Sequence, residues 1–312
     1  MEGSNTDPIR LYCIIVTYRR PVAFQKALDF ALTQERPPDE VIVVDNEGSD
    51  LIVSIVDRAQ AQGLPVRLIQ PGDNLGPAGG TAVAMELILL DAEVDDWITR
   101  IDDDNELDDR DIFGRLLEFA VEQHRIDPLV AAVGAVGSRY DWRRGRLIRI
   151  DDSEIDAGPV DVDYVPTNLY PAFSVAAVRD VGVFDRKLFY GSSEVEYGLR
   201  LRRAGYRLLA DPVLWRRLGR RWEHTAGARR TLRPFSWRRY YSLRNQIHIL
   251  IEYGHPWTAV KVGTVRGLLK PLANVPFSPR LALTHLKWSS RAVFDGWSGR
   301  MGRTYDPEDF PG

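Results

Sequence analysis

The first half of the chain repeats one pattern four times, an apolar segment followed by a helical segment. The apolar segments are LYCIIVTY, EVIVVDN, VRLIQPG and DWITRIDDD. They are apolar rather than alternating, which is typical of strands that are buried on both faces. The helical segments are PVAFQKALDFALTQ, LIVSIVDRAQAQG, PAGGTAVAMELILLDA and DDRDIFGRLLEFAVEQH. Strands separated by helices of this length predict an α/β fold with a mostly parallel sheet and right-handed crossovers.

The second half is less regular. After about residue 130 the segments VAAVGAVG and GRLIRID have the composition of strands, with no helical segment between them. A chain of 312 residues, of which 44% are hydrophobic and 27% charged, can bury a large core and carry an appendage. We therefore predict an α/β domain over residues 1–235 and a helical C-terminal extension over residues 236–312, packed on that domain.

Composition excludes several classes of protein. The formal net charge of −3 gives no overall attraction for nucleic acid, so we expect no nucleic-acid partner. No apolar run is long enough to span a bilayer, and the start MEGSNTDPIR does not have the pattern of a signal peptide. Cys13 is the single cysteine, which excludes intrachain disulfides and cysteine-based zinc sites. These features favour a cytoplasmic location.

Three consecutive aspartates, Asp102, Asp103 and Asp104, follow the fourth apolar segment directly. Adjacent carboxylates repel one another, and these precede the next helix by several residues, so a role at the helix start explains them poorly. Sheets of this class bind ligands at the carboxyl ends of their strands, and Mg²⁺ and Mn²⁺ prefer oxygen ligands. The residues alone leave two interpretations open, a metal site and an exposed acidic loop.

The other strand ends carry polar residues and glycines that would converge on the same edge. They are Thr17, Tyr18, Arg19 and Arg20 after the first strand, Asp45 and Asn46 after the second, and DNLGPAGG after the third. These groups together suit a ligand with a heterocycle, a ribose and a diphosphate. Guanidiniums and a metal would bind the phosphates, a lone carboxylate would accept from the base or sugar, and glycines would let the backbone come close. The glycines match neither a Rossmann fingerprint nor a phosphate-binding loop, which disfavours dinucleotide oxidoreductases and loop-type phosphate hydrolases. A tight turn and a close helix-to-sheet contact are the structural alternative for these glycines.

The segments VTYRR, VIVVDN, NLGPAGG, IDDDN and LFYGSSEVEYGLRLRRAGYRLL, in this order, resemble family 2 glycosyltransferases of the GT-A fold. The resemblance is greatest to the branch that contains bacterial galactofuranosyltransferases and rhamnosyltransferases. It implies a GT-A-like, mostly parallel nucleotide-binding sheet flanked by helices, with the helical extension after it. It also implies a metal-dependent inverting hexosyltransferase, which moves a sugar from a nucleotide-diphosphate donor to an acceptor hydroxyl.

The resemblance assigns roles to the residues at the strand ends. Asp102 and Asp104 would bind Mn²⁺ or Mg²⁺, and Asp103 would face the donor sugar or a neighbouring group. His224 in RRWEHTAG is a candidate third ligand, with an ordinary loop histidine as the alternative. The residues expected to contact or border the donor are Thr17, Tyr18, Arg19, Asp45, Asn74, Gly76, Gly79 and Gly80. The family favours UDP over dTDP, and galactofuranose, rhamnose, glucose and N-acetylglucosamine stay open as donor sugars.

The catalytic base of the family lies in an acidic pair at the start of a helix, and here that pair reads Ser193 and Glu194. We therefore predict Glu194 as the base, although Ser193 departs from the pattern. The structural alternative is a carboxylate that favours the helix N-terminus, with Ser192 or Ser193 as the cap. We expect Glu196 to form an ion pair with Arg200, four residues on.

Two rival functions remain at this stage. A nucleotidyltransferase also combines a nucleotide site with acidic metal ligands, but TYRRPVAF lacks the glycines that usually follow its first strand. A catalytically inactive subunit that binds nucleotide sugars is suggested by Ser193 in place of an acidic residue.

The C-terminal region combines aromatic, aliphatic and basic residues. The segment RPFSWRRYYSLRNQIHILIEYG has a helical pattern, and YYSLRNQ resembles a motif of the same branch. Basic residues after it alternate with apolar ones: Lys261, Arg266, Lys270, Arg280, Lys287 and Arg291. Basic amphipathic segments of this kind can lie on an anionic membrane surface, which here would be the inner face of the cell membrane. The alternative is a set of helices that pack on the α/β domain or form a contact in a homo-oligomer. A peripheral membrane contact would suit a lipid-linked acceptor, while glycan and small-molecule acceptors stay open.

Overall fold

The computed structural model describes residues 8–103, 109–223, 235–273 and 275–310. Its strands are β1 (Leu11–Thr17), β2 (Glu40–Asp45), β3 (Val66–Ile69), β4 (Trp97–Asp102), β5 (Val130–Gly134), β6 (Ser138–Asp141), β7 (Arg146–Arg149), β8 (Val160–Val162), β9 (Pro171–Ser174) and β10 (Arg207–Ala210). Eight of them form one sheet in the order β3-β2-β1-β4-β9-β5-β10-β8, and β6 pairs with β7 in a separate hairpin.

Twelve α-helices lie in the described ranges. They are α1 (Pro21–Leu32), α2 (Asp50–Ala61), α3 (Gly76–Asp91), α4 (Ile112–Ile126), α5 (Asp152–Asp156), α6 (Val175–Val181), α7 (Ser193–Arg203), α8 (Pro212–Glu223), α9 (Trp237–Glu252), α10 (Pro256–Gly263), α11 (Lys270–Leu272) and α12 (Pro279–Ser298). A π-helical turn, Thr264–Leu269, connects α10 to α11. None of the helices in these ranges is long and apolar enough to cross a membrane.

The first four strands are parallel, and their registers bring their polar ends together. Thr17 at the end of β1 pairs with Asp45 at the end of β2, and Val16 pairs with Asp102 at the end of β4. β9 is antiparallel to β4 and β5, and β8 is antiparallel to β10. The predicted mostly parallel sheet is therefore confirmed, with the antiparallel strands in the less regular second half.

Both faces of the sheet are covered, which explains why its strands are apolar without alternation. Cys13 and Ile15 of β1 point to the face on which α1, α2 and α4 pack. Tyr12 and Ile14 point to the opposite face, against Ala82 and other buried residues of α3. Each face has its own hydrophobic core, and the polar strand ends lie at the edge between them.

The C-terminal helices form a third core. Tyr241 and Ile247 of α9 and Trp288 of α12 pack with Phe189 and Leu199, which belong to the region around α7. The helical C-terminal region predicted from the sequence is therefore present, and α9 lies against the loop that leads into α7.

Two residues of the YYSLRNQ motif bind that loop directly. The Asn245 side-chain amide donates to the carbonyl oxygens of Leu188 (2.9 Å), Tyr190 (3.0 Å) and Gly191 (2.7 Å). The buried guanidinium of Arg244 donates to the Leu188 carbonyl at 3.1 Å. These hydrogen bonds attach the loop to α9 and fix the path of the chain into α7.

Gly76, at the start of α3, is the point where this loop meets the glycine-rich segment. Its φ is +67°, and a Cβ there would lie 2.3 Å from the carbonyl oxygen of Phe189. The backbone N–H of Ala78 donates to the same oxygen at 3.2 Å. Glycine is required here both by the left-handed conformation and by the close approach of a second backbone.

We expect Gly76→Ala to lower the free energy of unfolding by about 3 kcal/mol, because the new Cβ collides with a backbone carbonyl. Gly72→Ala is the matched control. Its φ of +80° imposes a similar conformational cost, but nothing lies within 4 Å of the added Cβ, so we expect a loss of only about 1 kcal/mol. Urea unfolding of both variants measures the difference. Equal losses of unfolding free energy in the two variants would show that the contact with Phe189 does not affect stability.

Candidate active site

A cleft of 440 Å³ opens at the carboxyl ends of β1 and β4. It is bordered by those strand ends, by the start of α3, by the loop and first turn of α7, and by the start of α9. Among its lining residues are Thr17, Tyr18, Arg20, Asn46, Asn74, Gly76, Arg100, Asp102, Asp103, Tyr190, Glu194, Trp237, Arg238 and Ser242. The structure thus brings most of the predicted site residues to one cleft.

Arg100 is the central charge of the cleft. It lies in β4, where only 4% of the residue is exposed. Its guanidinium donates to Asp102 Oδ1 at 2.8 Å and to Glu194 Oε1 at 3.4 Å. A buried guanidinium is tolerated when carboxylates neutralise it, so Arg100 holds the end of β4 and the start of α7 together.

Glu194 has a fixed orientation. Besides Arg100, the Thr167 hydroxyl donates to its Oε1 at 2.8 Å and the Ser193 hydroxyl to its Oε2 at 3.2 Å. Its side chain keeps 21% of its surface exposed, so the carboxylate remains accessible from the cleft. Ser192, the N-cap of α7, makes no side-chain capping hydrogen bond, and neither serine caps the helix as the structural alternative assumed.

Tyr164 adds a neutral hydroxyl near both carboxylates. Burial raises the pKa of Tyr164 well above its usual value, and the negative charges of Glu194 and Asp102 raise the pKa further. The phenol therefore stays protonated at neutral pH.

Asp103 is held by residues that follow or end β1. Thr17 Oγ1 donates to its Oδ2 at 2.9 Å, and Arg20 Nη1 donates to its Oδ1 at 3.2 Å. Asp103 is buried, whereas Asp102 keeps 30% of its side chain exposed. Of these two carboxylates, Asp102 is therefore the one that is better exposed to a ligand in the cleft.

The predicted metal site can be tested in part. Asp104 and His224 lie outside the described residues, and within the described ranges no group of three or more His, Cys, Asp or Glu side chains is arranged to hold a metal. A magnesium-type ion needs only one or two protein carboxylates when waters and substrate phosphates complete its shell. Asp102, a carboxylate at the edge of a cleft of this size, fits such an ion.

The two arginines after β1 lie differently. Arg20 lines the cleft, while Arg19 has a φ of +58°, has a side chain that is 60% exposed and pairs with Glu47 at 3.4 Å. Arg19 lines a neighbouring pocket of 360 Å³ instead. The predicted contact of Arg19 with the diphosphate stays a prediction, and of these two arginines Arg20 is the one that lines the cleft.

Asp45 is buried and does not line the cleft. Its carboxylate accepts from the backbone N–H of Glu47 (3.1 Å) and Ser49 (2.6 Å) and from Gln70 Nε2 (3.1 Å). These bonds shape the turn between β2 and α2, and the expected contact with the nucleoside stays untested.

The predicted glycines divide into two groups. Asn74 and Gly76 line the cleft, whereas Gly79 and Gly80 are buried in α3. A Cβ on Gly79 would lie 2.7 Å from Leu75 Cβ, and one on Gly80 would lie 2.7 Å from Val16 Cγ1. Gly79 and Gly80 therefore allow a tight turn and close helix-to-sheet packing, the structural alternative.

Aromatic residues that the sequence did not single out as site residues form one wall of the cleft. The rings of Tyr190 and Trp237 meet edge to face at 4.5 Å, and the Arg238 guanidinium lies 5.6 Å from the centre of the Tyr190 ring.

Arg100 is another site residue that the sequence analysis did not identify. A charged residue inside an otherwise apolar strand was the feature that could have indicated it. The prediction for Glu196 is confirmed, because Arg200 Nε donates to it at 2.9 Å.

The family model described as "Glycosyl transferase family 2" matches residues 12–186. Galactofuranosyltransferase GlfT1 of Mycobacterium tuberculosis is 33% identical over 204 residues, which are 62% of this chain and 65% of that protein. The protein of the same name from Mycolicibacterium smegmatis is 32% identical over 202 residues, with the same coverage. The match thus spans just under two thirds of these relatives.

Two solved structures share the fold. The mannosyltransferase PcManGT from Pyrobaculum calidifontis, in complex with GDP-Man and Mn²⁺, has a TM-score of 0.55 and 20% identity, covering 95% of this chain and 89% of that chain. GalNAc-T7 with UDP, GalNAc and Mn²⁺ has a TM-score of 0.60 and 11% identity, covering 94% of this chain and 58% of that chain. The predicted GT-A-like fold is confirmed.

We expect Arg100→Met to lower the free energy of unfolding by about 3 kcal/mol, because it leaves two carboxylates without their shared counter-charge. The control is Arg216→Met, which removes an arginine that is 56% exposed and pairs with Asp156 on the surface. There the loss should stay below about 1 kcal/mol. Chemical denaturation of both variants provides the comparison, and a loss at Arg100 no larger than the control would contradict its central role.

Proposed function

The chain belongs to glycosyl transferase family 2, and on that premise we propose that it is an inverting glycosyltransferase. It would transfer a hexose from a nucleotide-diphosphate donor to an acceptor hydroxyl. The observation that carries this proposal is the arrangement around Arg100, in which Asp102 and Glu194 face one cleft from two different elements. One carboxylate is suited to a metal and the other to a base.

The names of the relatives support galactofuranose as the donor sugar. UDP, rather than dTDP, is the carrier that the family resemblance favours. In the proposed complex, Thr17, Tyr18 and Asn74 border the donor, with Gly76 allowing close approach of the backbone. Arg20 is suited to the diphosphate because its guanidinium already lies in the cleft wall. Rhamnose remains the second choice of sugar.

Glu194 would act as the general base. An inverting displacement needs a base within hydrogen-bond reach of the attacking hydroxyl, on the face opposite the departing diphosphate. The bonds from Thr167 and Arg100 hold the Glu194 carboxylate in one orientation. The proton of the acceptor hydroxyl would pass to this carboxylate as the new glycosidic bond forms.

Asp102 would hold the divalent metal, together with Asp104 and His224, which lie outside the described residues. The Mn²⁺ in both solved structures supports a metal in folds of this kind. Bound Mn²⁺ or Mg²⁺ would neutralise the charge that develops on the leaving diphosphate.

The acceptor would enter beside the aromatic wall. Tyr190 and Trp237 offer a broad apolar surface for a sugar ring next to Glu194, and Arg238 adds hydrogen-bond donors. A glycan, a lipid-linked sugar or a small glycoside would each present such a ring. The role of α9 in this wall supports the division at residue 235 as a functional one, between a donor domain and an extension that completes the acceptor side.

The region after α9 exposes apolar side chains between basic ones. Trp257 is 84% exposed, Phe277 85% and Leu269 54%, and Lys261 and Arg280 lie near them in sequence. We propose that this surface rests on the anionic inner face of the cell membrane. Contact with a second copy of the chain is the alternative occupant of the same surface.

A binding subunit without activity is the second candidate function. It is favoured by one observation, the buried Ser193 in the position of an acidic residue. The nucleotidyltransferase alternative has no feature of the cleft that favours it over sugar transfer.

Calorimetric titration with UDP, dTDP and GDP, each with and without Mn²⁺, tests the donor site. We expect UDP to bind in the presence of the metal, and Asp102→Asn to weaken this binding about tenfold or more, because it removes a charged ligand. Asp95→Asn, which changes an exposed carboxylate near the other end of β4, should leave the affinity unchanged. If no nucleotide binds under any condition, the proposed donor site is refuted.

A transfer assay with UDP-galactofuranose and a series of glycoside acceptors tests the base. Glu194→Gln should lower kcat by about 10²–10⁴-fold while UDP affinity stays unchanged, since the amide cannot accept the proton. The matched control is Glu118→Gln on α4, where the side chain is 73% exposed. Unchanged kcat in Glu194→Gln would remove Glu194 as the base, and a wild type without activity on any donor would favour the binding subunit.

A further inference from the structure

A second pocket, which adjoins the cleft, is strongly basic. It has a volume of 270 Å³ and is lined by Arg239, Ser242, Leu243, Arg266 and Lys270. Three of these five side chains are cations, and the lining includes no carboxylate. A space of this size holds a group much larger than one water, whose share of liquid volume is about 30 Å³.

The two arginines of this basic pocket differ from many other arginines of the protein. Arg115 and Arg217 are typical, since they pair with Asp211 at 2.9 Å and with Asp111 at 2.7 Å. In the part of the chain that the structure describes, neither Arg239 nor Arg266 forms an ion pair with a carboxylate. Arg266 instead donates to the amide oxygen of Gln246, which is uncharged.

The positive charges act on one another. Burial lowers the pKa of Arg239, and the positive charge of Arg266 lowers the pKa further. Arg239 in turn contributes, after burial, to lowering the pKa of His285 to about 4, so the histidine adds no charge at neutral pH. Since Arg239 and Arg266 form no ion pair with a carboxylate among the described residues, both would gain from binding an anion, and guanidiniums match phosphate oxygens in geometry.

The position of the basic pocket connects it to the reaction. Ser242 lines both the basic pocket and the cleft. A Cβ on Gly191 would lie 2.9 Å from Ser242 Oγ, and Gly191 precedes Glu194 by three residues. The pocket therefore lies on the same side of the cleft as the proposed base, where the acceptor would bind.

We propose that the basic pocket binds a phosphate or diphosphate group of the acceptor. This inference rests on the proposed function, because it assigns the site to the acceptor of sugar transfer. The acceptor would place its anionic group between Arg239, Arg266 and Lys270 and its sugar hydroxyl beside Glu194. The pocket would then select phosphorylated acceptors over neutral glycosides.

Titration of the full chain with inorganic pyrophosphate in EDTA tests the site without the metal-dependent donor site. Arg239→Gln and Arg266→Gln should each weaken pyrophosphate binding about tenfold or more, because each removes charged hydrogen bonds. Lys261→Gln, which removes an exposed cation of α10 outside the basic pocket, should leave the affinity unchanged. Absence of binding in the wild type, or equal weakening by all three substitutions, would overturn the proposal.

Vesicles separate an acceptor phosphate from phospholipid head groups as the source of the anion. Sedimentation is measured with vesicles of phosphatidylcholine and phosphatidylglycerol in a ratio of about 7:3, a composition with an anionic surface. We expect Arg239→Gln to weaken vesicle binding no more than Lys261→Gln does. A selective loss in Arg239→Gln, with pyrophosphate binding unchanged, would assign the pocket to membrane lipid and overturn the acceptor proposal.

The design also separates this inference from the proposed function. UDP binding with Mn²⁺ should be the same in Arg239→Gln, Arg266→Gln and the wild type, since neither residue lines the cleft. Pyrophosphate binding that depends on the pocket, in a chain that binds no nucleotide, would confirm the anion site and refute the transferase. Nucleotide binding without pyrophosphate binding would support the transferase and refute the anion site.

Discussion

A guanidinium buried inside a β-sheet needs carboxylates beside it to neutralise its charge. The arrangement of the site depends on which carboxylates neutralise Arg100. Its partners come from the end of its own strand and from the first turn of a helix that begins more than 90 residues later. The pairing fixes where α7 starts and how Glu194 is turned. The same charge therefore serves stability and orientation, which is why the two carboxylates cannot be placed independently.

The loop before α7 is held from two sides. Phe189 has a φ of +58°, and its carbonyl accepts from Ala78 at the start of α3. On the other side, Asn245 of α9 binds the carbonyls that flank it. The glycine-rich segment and the aromatic wall thus meet through one short stretch of backbone. A displacement of this loop would therefore shift residues on both walls of the cleft.

The parallel sheet and the convergence of its polar strand ends were predictable from the sequence, because strands buried on both faces leave continuous apolar runs and their ends gather at one edge. The insertion of β9 between β4 and β5 could not be predicted from the sequence, since a strand as short as Pro171–Ser174 has no periodicity to detect. Nor could pattern show that Arg100 meets Glu194, a contact made by packing across the fold. Asp45 shows that a polar residue at a strand end can also shape the local turn.

The three carbonyls bound by Asn245 bear on how such enzymes can be recombined. A chimera that joined the first 235 residues to the tail of another family member would leave those oxygens without their amide unless the new tail supplied one at the same place. The tail and the stretch from Leu188 to Gly191 would have to be exchanged together. The tail and the loop before α7 therefore form one structural unit, although the two pieces of sequence lie far apart in the chain.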